Sequence, residues 1–308
     1  MQIGMVGLGR MGMNMGRRLL QGDHRVWAYN RTGDKVAELV REGASGAASL
    51  EELVQGMEPP RVVWLMLPAG KITGQYVTSL GRLLAPGDIL VDGGNGSYRD
   101  DPSRASQMAS FGVDYVDAGV SGGVWGLRSG YCIMVGGTVE AFRRLEPILK
   151  TLAAPEGYLY CGGVGAGHFL KMVHNGIEYA MLEAYGEGFE ILKASPYWDG
   201  LAPDQVAALW NRGSVIRSWL LELLESAFRK DPGLSSVAGY VEDSGEGRWT
   251  VMEAVESGVA APGIAMALFR RFQSRQGDLF SDRVIAALRR EFGGHAVLPG
   301  GETGGSAD

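Results

Sequence analysis

Apolar and polar positions divide the chain into two halves with different periods. QIGMVGLG is a short apolar run ending in glycines, and MGMNMGRRLLQG has a helical period that stops at Gly22. RVWAYN reads as a second strand and GDKVAELVREG as a second helix. RVVWLML, DILVDGG and VDYVDAGV predict further strands, with helices over about 70–84 and 102–111, and YCIMVGG and GYLYCGG read as closing strands around the helix TVEAFRRLEPILKTL. Strands that alternate with amphipathic helices predict a parallel sheet covered on both faces. From about Val164 the strand signal disappears. Residues 166–193 read as one long helix, followed by helices over 203–212, 213–229, 250–257, 262–275 and 281–291.

Composition narrows the class without changing that picture. The 308 residues allow two domains, and 45% hydrophobic with 21% charged residues is ordinary for a globular protein. A net charge of −6 gives no global basic field for nucleic acid. No apolar run is long enough to span a bilayer, so no membrane partner is expected. MQIGMVGLG has no basic segment and enters a strand pattern at once, so no signal peptide is expected. Two cysteines, Cys132 and Cys161, form neither a metal-ligand spacing nor a disulfide framework. A reducing cytoplasm and a site without metal are therefore expected. The 48 glycines predict many close approaches of backbone to backbone or ligand.

Gly7-Leu8-Gly9-Arg10-Met11-Gly12 fits G-x-G-x-x-G, follows a strand and opens a helix. In that context the pattern predicts a dinucleotide site, with the pyrophosphate over the helix N-terminus. The expected fold class is an α/β Rossmann-type N-terminal domain over 1–163, then an all-α C-terminal domain over 164–296, with 297–308 as a mobile tail. The second strand ends in Asn30-Arg31-Thr32, with Lys35 nearby, where an NAD site usually places Asp or Glu. Cations there attract a 2′-phosphate, so NADP is favoured over NAD. Two more glycine-rich segments, VDGGNGSYRDD and VDAGVSGGVWG, follow strands and place Asn95, Ser121, Gly122 and Gly123 where open sheets bind ligands.

KMVHNGIEY sets Lys171, His174, Asn175 and Glu178 at i, i+3, i+4 and i+7, one stripe on one helix face. Its flanks are apolar, so the helix is expected to be buried for much of its length, and buried Lys and Glu are rare unless partnered or functional. A solvated face carrying a lysine and a glutamate is the plainer alternative.

The segments GLGRMG, NRT, DGGN, VSGG and above all GAGHFLKMVHNGIEY resemble 6-phosphogluconate dehydrogenase, the decarboxylating enzyme, over residues 1 to about 296. The length is similar to that of the short bacterial-type branch. The resemblance implies Lys171 as general base at the C3 hydroxyl and Glu178 as general acid at C1 of the enediol. It implies substrate contacts at Asn95, Ser121, Gly122, Gly123, His174 and Asn175, and a phosphate contact at Tyr179. GEGRWT resembles the family's G-T-G-K-W-T, putting Arg248 where a phosphate-binding lysine stands, and LFRRF offers Arg271 to the phosphate, with Arg270 as second choice. RREFGGH resembles R-D-x-F-G-A-H, so Arg289 and His295 are expected to complete the neighbouring subunit's site in a homodimer or a tetramer built of dimers. LPAG departs from V-K-A-G by placing Pro68 where lysine is common, while Leu67, Pro68, Ala69 and Asn95 still pass the cofactor. The implied reaction is oxidative decarboxylation of 6-phosphogluconate to ribulose 5-phosphate and CO2 in the pentose phosphate pathway. The alternatives are a β-hydroxyacid dehydrogenase of the 3-hydroxyisobutyrate type, and a catalytically idle dinucleotide-binding protein.

Overall fold

The computed structural model describes residues 1–277 and 279–293. Two compact units emerge: Met1–Glu178 with Gly245–Ala260, and Tyr179–Ser244 with the chain from Ala261 onward.

The first unit is a doubly wound sheet. Its strands and helices run β1 (Gln2–Val6), α1 (Arg10–Gln21), β2 (Arg25–Tyr29), α2 (Gly33–Arg41), β3 (Ser45–Gly46), α3 (Leu50–Gln55), β4 (Val62–Leu65), α4 (Lys71–Gly81), β5 (Ile89–Asp92), α5 (Asp101–Ala109), β6 (Asp114–Ser121), α6 (Gly126–Ser129), β7 (Tyr131–Gly136), α7 (Val139–Leu152) and β8 (Ala153–Gly162). The spatial order β3-β2-β1-β4-β5-β6-β7-β8 puts the topological switch between β1 and β4. Alternate residues of the central strands feed two cores. Ile3, Met5, Trp64, Ile89 and Val91 face one side, and Val6, Val63, Leu65 and Leu90 the other. Burial on both faces is why β4 and β5 are continuously apolar.

The sheet is mostly parallel, as expected, with one exception: β7 runs antiparallel to β6. Residues 122–130 are too few for a crossover, which needs a dozen or more. The sequence reading also passed over the short β3 and α3. Ser49 opens α3 by accepting from the Glu52 amide, while Glu52 Oε2 accepts from the Ala48 amide at 2.7 Å.

Beyond the sheet all elements among the described residues are helical. They are α8 (Ala166–Lys193), α9 (Pro203–Trp210), α10 (Trp219–Lys230), α11 (Glu246–Glu256), α12 (Pro262–Gln273) and α13 (Phe280–Gly293). The helix expected over 213–229 begins only at Trp219, because Ser218 is its N-cap and accepts from the Leu221 amide. In the second unit Phe189 gathers Trp210 and Phe228, with ring centroids at 5.5 and 5.0 Å, over Ala207 and Leu221. No described helix is long and apolar enough to cross a membrane.

The first half of α8 belongs to the sheet unit and lies directly on β6. A Cβ at Gly119 would stand 2.4 Å from Lys171 Cβ, and one at Gly167 would stand 2.4 Å from the Met134 carbonyl oxygen. Only glycine permits this approach, and it is what carries Lys171 down to the strand ends. Gly119→Ala is expected to destabilise the chain by about 1–3 kcal/mol through overpacking. An unchanged midpoint in chemical denaturation would show that α8 can retreat freely.

Candidate active site

The fingerprint loop has the shape its glycines require. Gly7 has φ +94°, and a Cβ there would meet the Met66 carbonyl at 2.5 Å. A Cβ on Gly12 would lie 2.1 Å from the Gly7 carbonyl, so that glycine closes helix on strand. Gly9 has open space where its Cβ would be, and it is the N-cap of α1. The loop thus offers a cradle at a helix N-terminus, and its residues fit a dinucleotide pyrophosphate.

Asn30 organises that loop. Its Oδ1 accepts from the Leu8 amide at 2.9 Å, and its Nδ2 donates to Thr32 Oγ1 at 2.8 Å. Leu8 itself gives its side chain to the core. Arg10 and Arg31 are exposed and Met11 is half-buried. Lys35 is exposed and 3.7 Å from Glu38. Pro68 and Ala69 are exposed, and the Pro68 carbonyl accepts from Thr73 Oγ1 at 2.8 Å.

Around the first half of α8, several predicted residues meet in the same unit. Lys171 Nζ donates to Asn175 Oδ1 at 2.5 Å, and His174 Nδ1 lies 3.0 Å from the same oxygen. A carbonyl oxygen has two lone pairs, so the two donors fill it and assign the Nδ1–H tautomer. His174 Nε2 then accepts from Ser121 Oγ, at 3.4 Å. Glu178 Oε2 approaches His174 Nδ1 at 3.9 Å. The row is therefore connected, with solvation graded along it: Lys171 is 5% exposed and the Glu178 side chain 38%. Burial lowers the Lys171 pKa, with Glu178, Glu246 and Cys132 opposing it.

Asn95 ties the turn after β5 to β6, pairing with the Val120 backbone at 3.4 and 3.3 Å. Gly93 and Gly94 are packing glycines: a Cβ on the first would meet Trp64 Nε1 at 2.0 Å, and on the second the Leu67 carbonyl at 2.5 Å. Gly122 and Gly123 both take positive φ at the end of β6. α11 packs on α8 through Thr250, whose Oγ1 donates to the Met172 carbonyl at 2.8 Å. Arg248 is exposed on α11.

In the second unit the Arg271 guanidinium stacks 3.4 Å over the Tyr179 ring, and Arg271 Nη1 donates to the Glu242 carbonyl at 2.9 Å. Tyr179 Oη accepts from the Ser244 amide at 3.2 Å. Arg270 instead bonds Glu183 at 3.1 Å. Arg289 is exposed on α13, and His295 lies outside the described residues.

Sequence reasoning missed two residues here. Asn14 Nδ2 donates to the Val124 carbonyl at 3.1 Å, joining α1 to the turn after Ser121. Glu246 is buried at the start of α11 with Oε2 unpartnered among the described residues, and its charge reaches Lys171. The one available signal was Glu246 itself, standing where the related motif has threonine.

Comparison with known proteins decides the lineage. Residues 2–165 match the family model described as the NAD binding domain of 6-phosphogluconate dehydrogenase, and residues 167–291 match that of the enzyme's C-terminal domain. The chain belongs to the 6-phosphogluconate dehydrogenase family. A Bacillus subtilis protein that bears this enzyme's name provisionally is 46% identical over 96% of this chain and 99% of its own. A Haloferax volcanii protein named as NAD(+)-dependent, decarboxylating 6-phosphogluconate dehydrogenase is 42% identical over 96% of this chain and 98% of its own. Among solved structures, Plasmodium falciparum 6-phosphogluconate dehydrogenase superposes with a TM-score of 0.83 at 28% identity, covering 98% of this chain and 67% of that one. Mycobacterium tuberculosis 3-hydroxyisobutyrate dehydrogenase shares the fold, with a TM-score of 0.72 at 24% identity over 94% of this chain and 99% of that one. The chain is thus an NAD(P)-dependent dehydrogenase by family.

The glycine geometry separates two roles within one motif. Gly9→Ala should keep its unfolding midpoint and weaken a reduced dinucleotide at least about tenfold, because the methyl fills the cradle. Gly12→Ala should lose about 1–3 kcal/mol of stability as its Cβ meets the Gly7 carbonyl. Fluorescence titration and chemical denaturation read the two effects, and full affinity in Gly9→Ala would move the phosphates elsewhere.

Proposed function

We propose that this chain catalyses the oxidative decarboxylation of 6-phosphogluconate to ribulose 5-phosphate and CO2, with NADP favoured over NAD. The observation that carries the reading is the row on α8. A buried lysine with a lowered pKa and a glutamate two turns further on stand on one helix face, about 10 Å apart along the axis. That span suits two groups addressing different carbons of one sugar.

Neutral Lys171 takes the proton of the C3 hydroxyl as the C3 hydrogen leaves as hydride. The bound nicotinamide supplies the hydride acceptor. The resulting 3-keto acid loses CO2, and protonated Lys171 polarises its keto oxygen. Glu178 then delivers a proton to C1 of the enediol. His174, Asn175, Asn95 and the Ser121–Gly123 turn supply hydrogen-bonding groups for hydroxyls and carboxylate. Arg248, Arg271 and Tyr179 are assigned to the phosphate, Arg248 as a bidentate replacement for lysine.

In the same reading, residues 1–163 bind the dinucleotide and 164–296 form the substrate and dimerisation domain. Gly7 to Gly12, Asn30, Arg31, Thr32, Lys35, Leu67, Pro68, Ala69 and Asn95 contact the cofactor. A homodimer completes each site with Arg289 and His295 of the neighbouring subunit. Two free thiols suit a cytoplasmic enzyme.

Supplying 6-phosphogluconate with NADP or NAD, while following absorbance and CO2 together, tests the reading. Reduced cofactor without CO2 would sink the decarboxylation. Turnover only of unphosphorylated β-hydroxyacids would favour the 3-hydroxyisobutyrate-type activity, which needs neither Glu178 nor a phosphate cluster.

Lys171→Met should abolish hydride transfer while leaving dinucleotide affinity intact; normal oxidation by that variant would remove Lys171 as base. In the wild type, kcat/KM should rise as pH rises through the lowered Lys171 pKa, since the neutral amine is the active form. Arg31→Ala should weaken NADP about tenfold or more relative to NAD. Equal losses would show that Arg31 does not read the 2′-phosphate.

A further inference from the structure

Beneath the site lies a buried polar network to which the proposed chemistry gives no role. Asp92 ends β5, Tyr115 and Asp117 lie on β6, Asp101 and Arg104 on α5, and His168 in the first turn of α8; all six are buried. Arg104 Nη1 donates to Asp92 Oδ2 at 2.8 Å. Tyr115 Oη lies 3.1 Å from the same carboxylate and 2.8 Å from Asp101 Oδ1. Asp101 Oδ2 holds His168 Nδ1 at 2.8 Å. Asp117 accepts from the Gly165 and His168 amides at 2.6 and 2.9 Å, which caps α8.

Two further bonds leave this cluster for the loops. Arg104 Nη2 donates to the Gly70 carbonyl at 3.3 Å, at the end of LPAG. Asp92 Oδ1 accepts from the Gly94 amide at 3.3 Å, beside Asn95. His168 is one turn before Lys171, on the same face. Its Nε2 has no partner among the described residues, so the ring is held from one side only.

Asp92, Asp101 and His168 have donor atoms within 4.8 Å of one another, a spacing a cation could use. Arg104 already meets that charge, so the cluster is closed to an ion. Buried ion networks are expensive to desolvate, and in some proteins they are retained because they fix one arrangement.

We propose that His168, held by Asp101, is a positioning residue: through this network it fixes the Lys171 turn of α8 against loop 67–70 and the turn 93–95. The statement about Lys171 rests on the proposed function. Burial opposes charge on both members of the pair, raising the Asp101 pKa, but for His168 the attraction of Asp101, with Asp92 and Asp117 behind it, outweighs burial and raises the ring's pKa. A charged ring suits an Asp101 carboxylate that accepts from both Tyr115 and His168.

The test compares His168→Leu, which deletes the bond, with His168→Asn, which returns a donor near the Nδ1 position. Steady-state kinetics with 6-phosphogluconate, dinucleotide affinity and peptide-resolved hydrogen exchange are measured on each full-length variant. His168→Leu should lose about 10–100-fold in kcat, with KM and dinucleotide affinity within about threefold. Exchange should quicken over 165–172 and 66–72 while staying unchanged over 25–41. His168→Asn should recover to within about fivefold of wild type. A wild-type kcat in His168→Leu, a loss confined to KM, no recovery in His168→Asn, or faster exchange across the whole sheet would each overturn the assignment. Should His168→Leu not fold, Tyr115→Phe, which cuts the Asp101–Asp92 link without a cavity, must show the same kcat loss and exchange pattern. If the wild type does not turn over 6-phosphogluconate, the exchange pattern alone decides the network, and the functional reading fails separately.

Discussion

A buried lysine, Lys171, is the constraint around which the sheet unit is organised. An ammonium cannot leave water without a partner, and the effective cost in proteins is several kcal/mol per ion. Lys171 lowers that cost in two ways: its pKa falls, so the neutral amine becomes accessible, and its Nζ finds Asn175 Oδ1. The second is a bond within α8, but the first depends on α8 sitting close to β6. That closeness in turn depends on Gly119 and Gly167, because any Cβ at either place would meet backbone or the lysine stem.

The capping of α8 completes the same logic. A helix that starts in the interior leaves amides without partners, and each unpaired buried amide costs about as much as a lost hydrogen bond. Asp117 takes two of them. Its carboxylate is walled in by glycines, since a Cβ at Gly136 would stand 2.4 Å from Asp117 Oδ1. The abundance of glycine in this chain therefore has a specific use: it admits charged groups and helix ends to places that side chains would fill.

Much of this was legible where the signal is local. The G-x-G-x-x-G motif declares itself because Gly7 and Gly12 answer close contacts and Gly9 leaves open space, all within six residues. The α8 stripe is legible because helical spacing alone places Lys171, His174, Asn175 and Glu178 together. The antiparallel β7 was not legible from hydrophobic pattern, which does not record strand direction; only the short 122–130 connection carries it. Nor could spacing show that Asp92, Asp101, Asp117 and His168 converge, since they come from separate elements and each has an ordinary surface reading when taken alone. Ser218 was missed for a simpler reason: the apolar period of Val215 and Ile216 ran on through the cap.

Asn30 shows how a site residue can hold two meanings at once. At the end of β2 it stands where an acidic residue would grip a ribose, yet both ends of its amide are spent on the loop, on the Leu8 amide and on Thr32. An aspartate could keep the first bond, because Oδ1 is the acceptor, and would forfeit only the donation to Thr32. The fingerprint loop therefore does not depend on the residue type that biases the 2′ position. Arg31 and Lys35, close by, are exposed and take no part in the core. Under the proposed function, cofactor choice sits on exposed groups whose replacement disturbs little packing, whereas the chemistry sits on the first half of α8, which burial, capping and glycine contacts constrain. On that reading, a change of dinucleotide preference costs this fold less packing than a change of the base would.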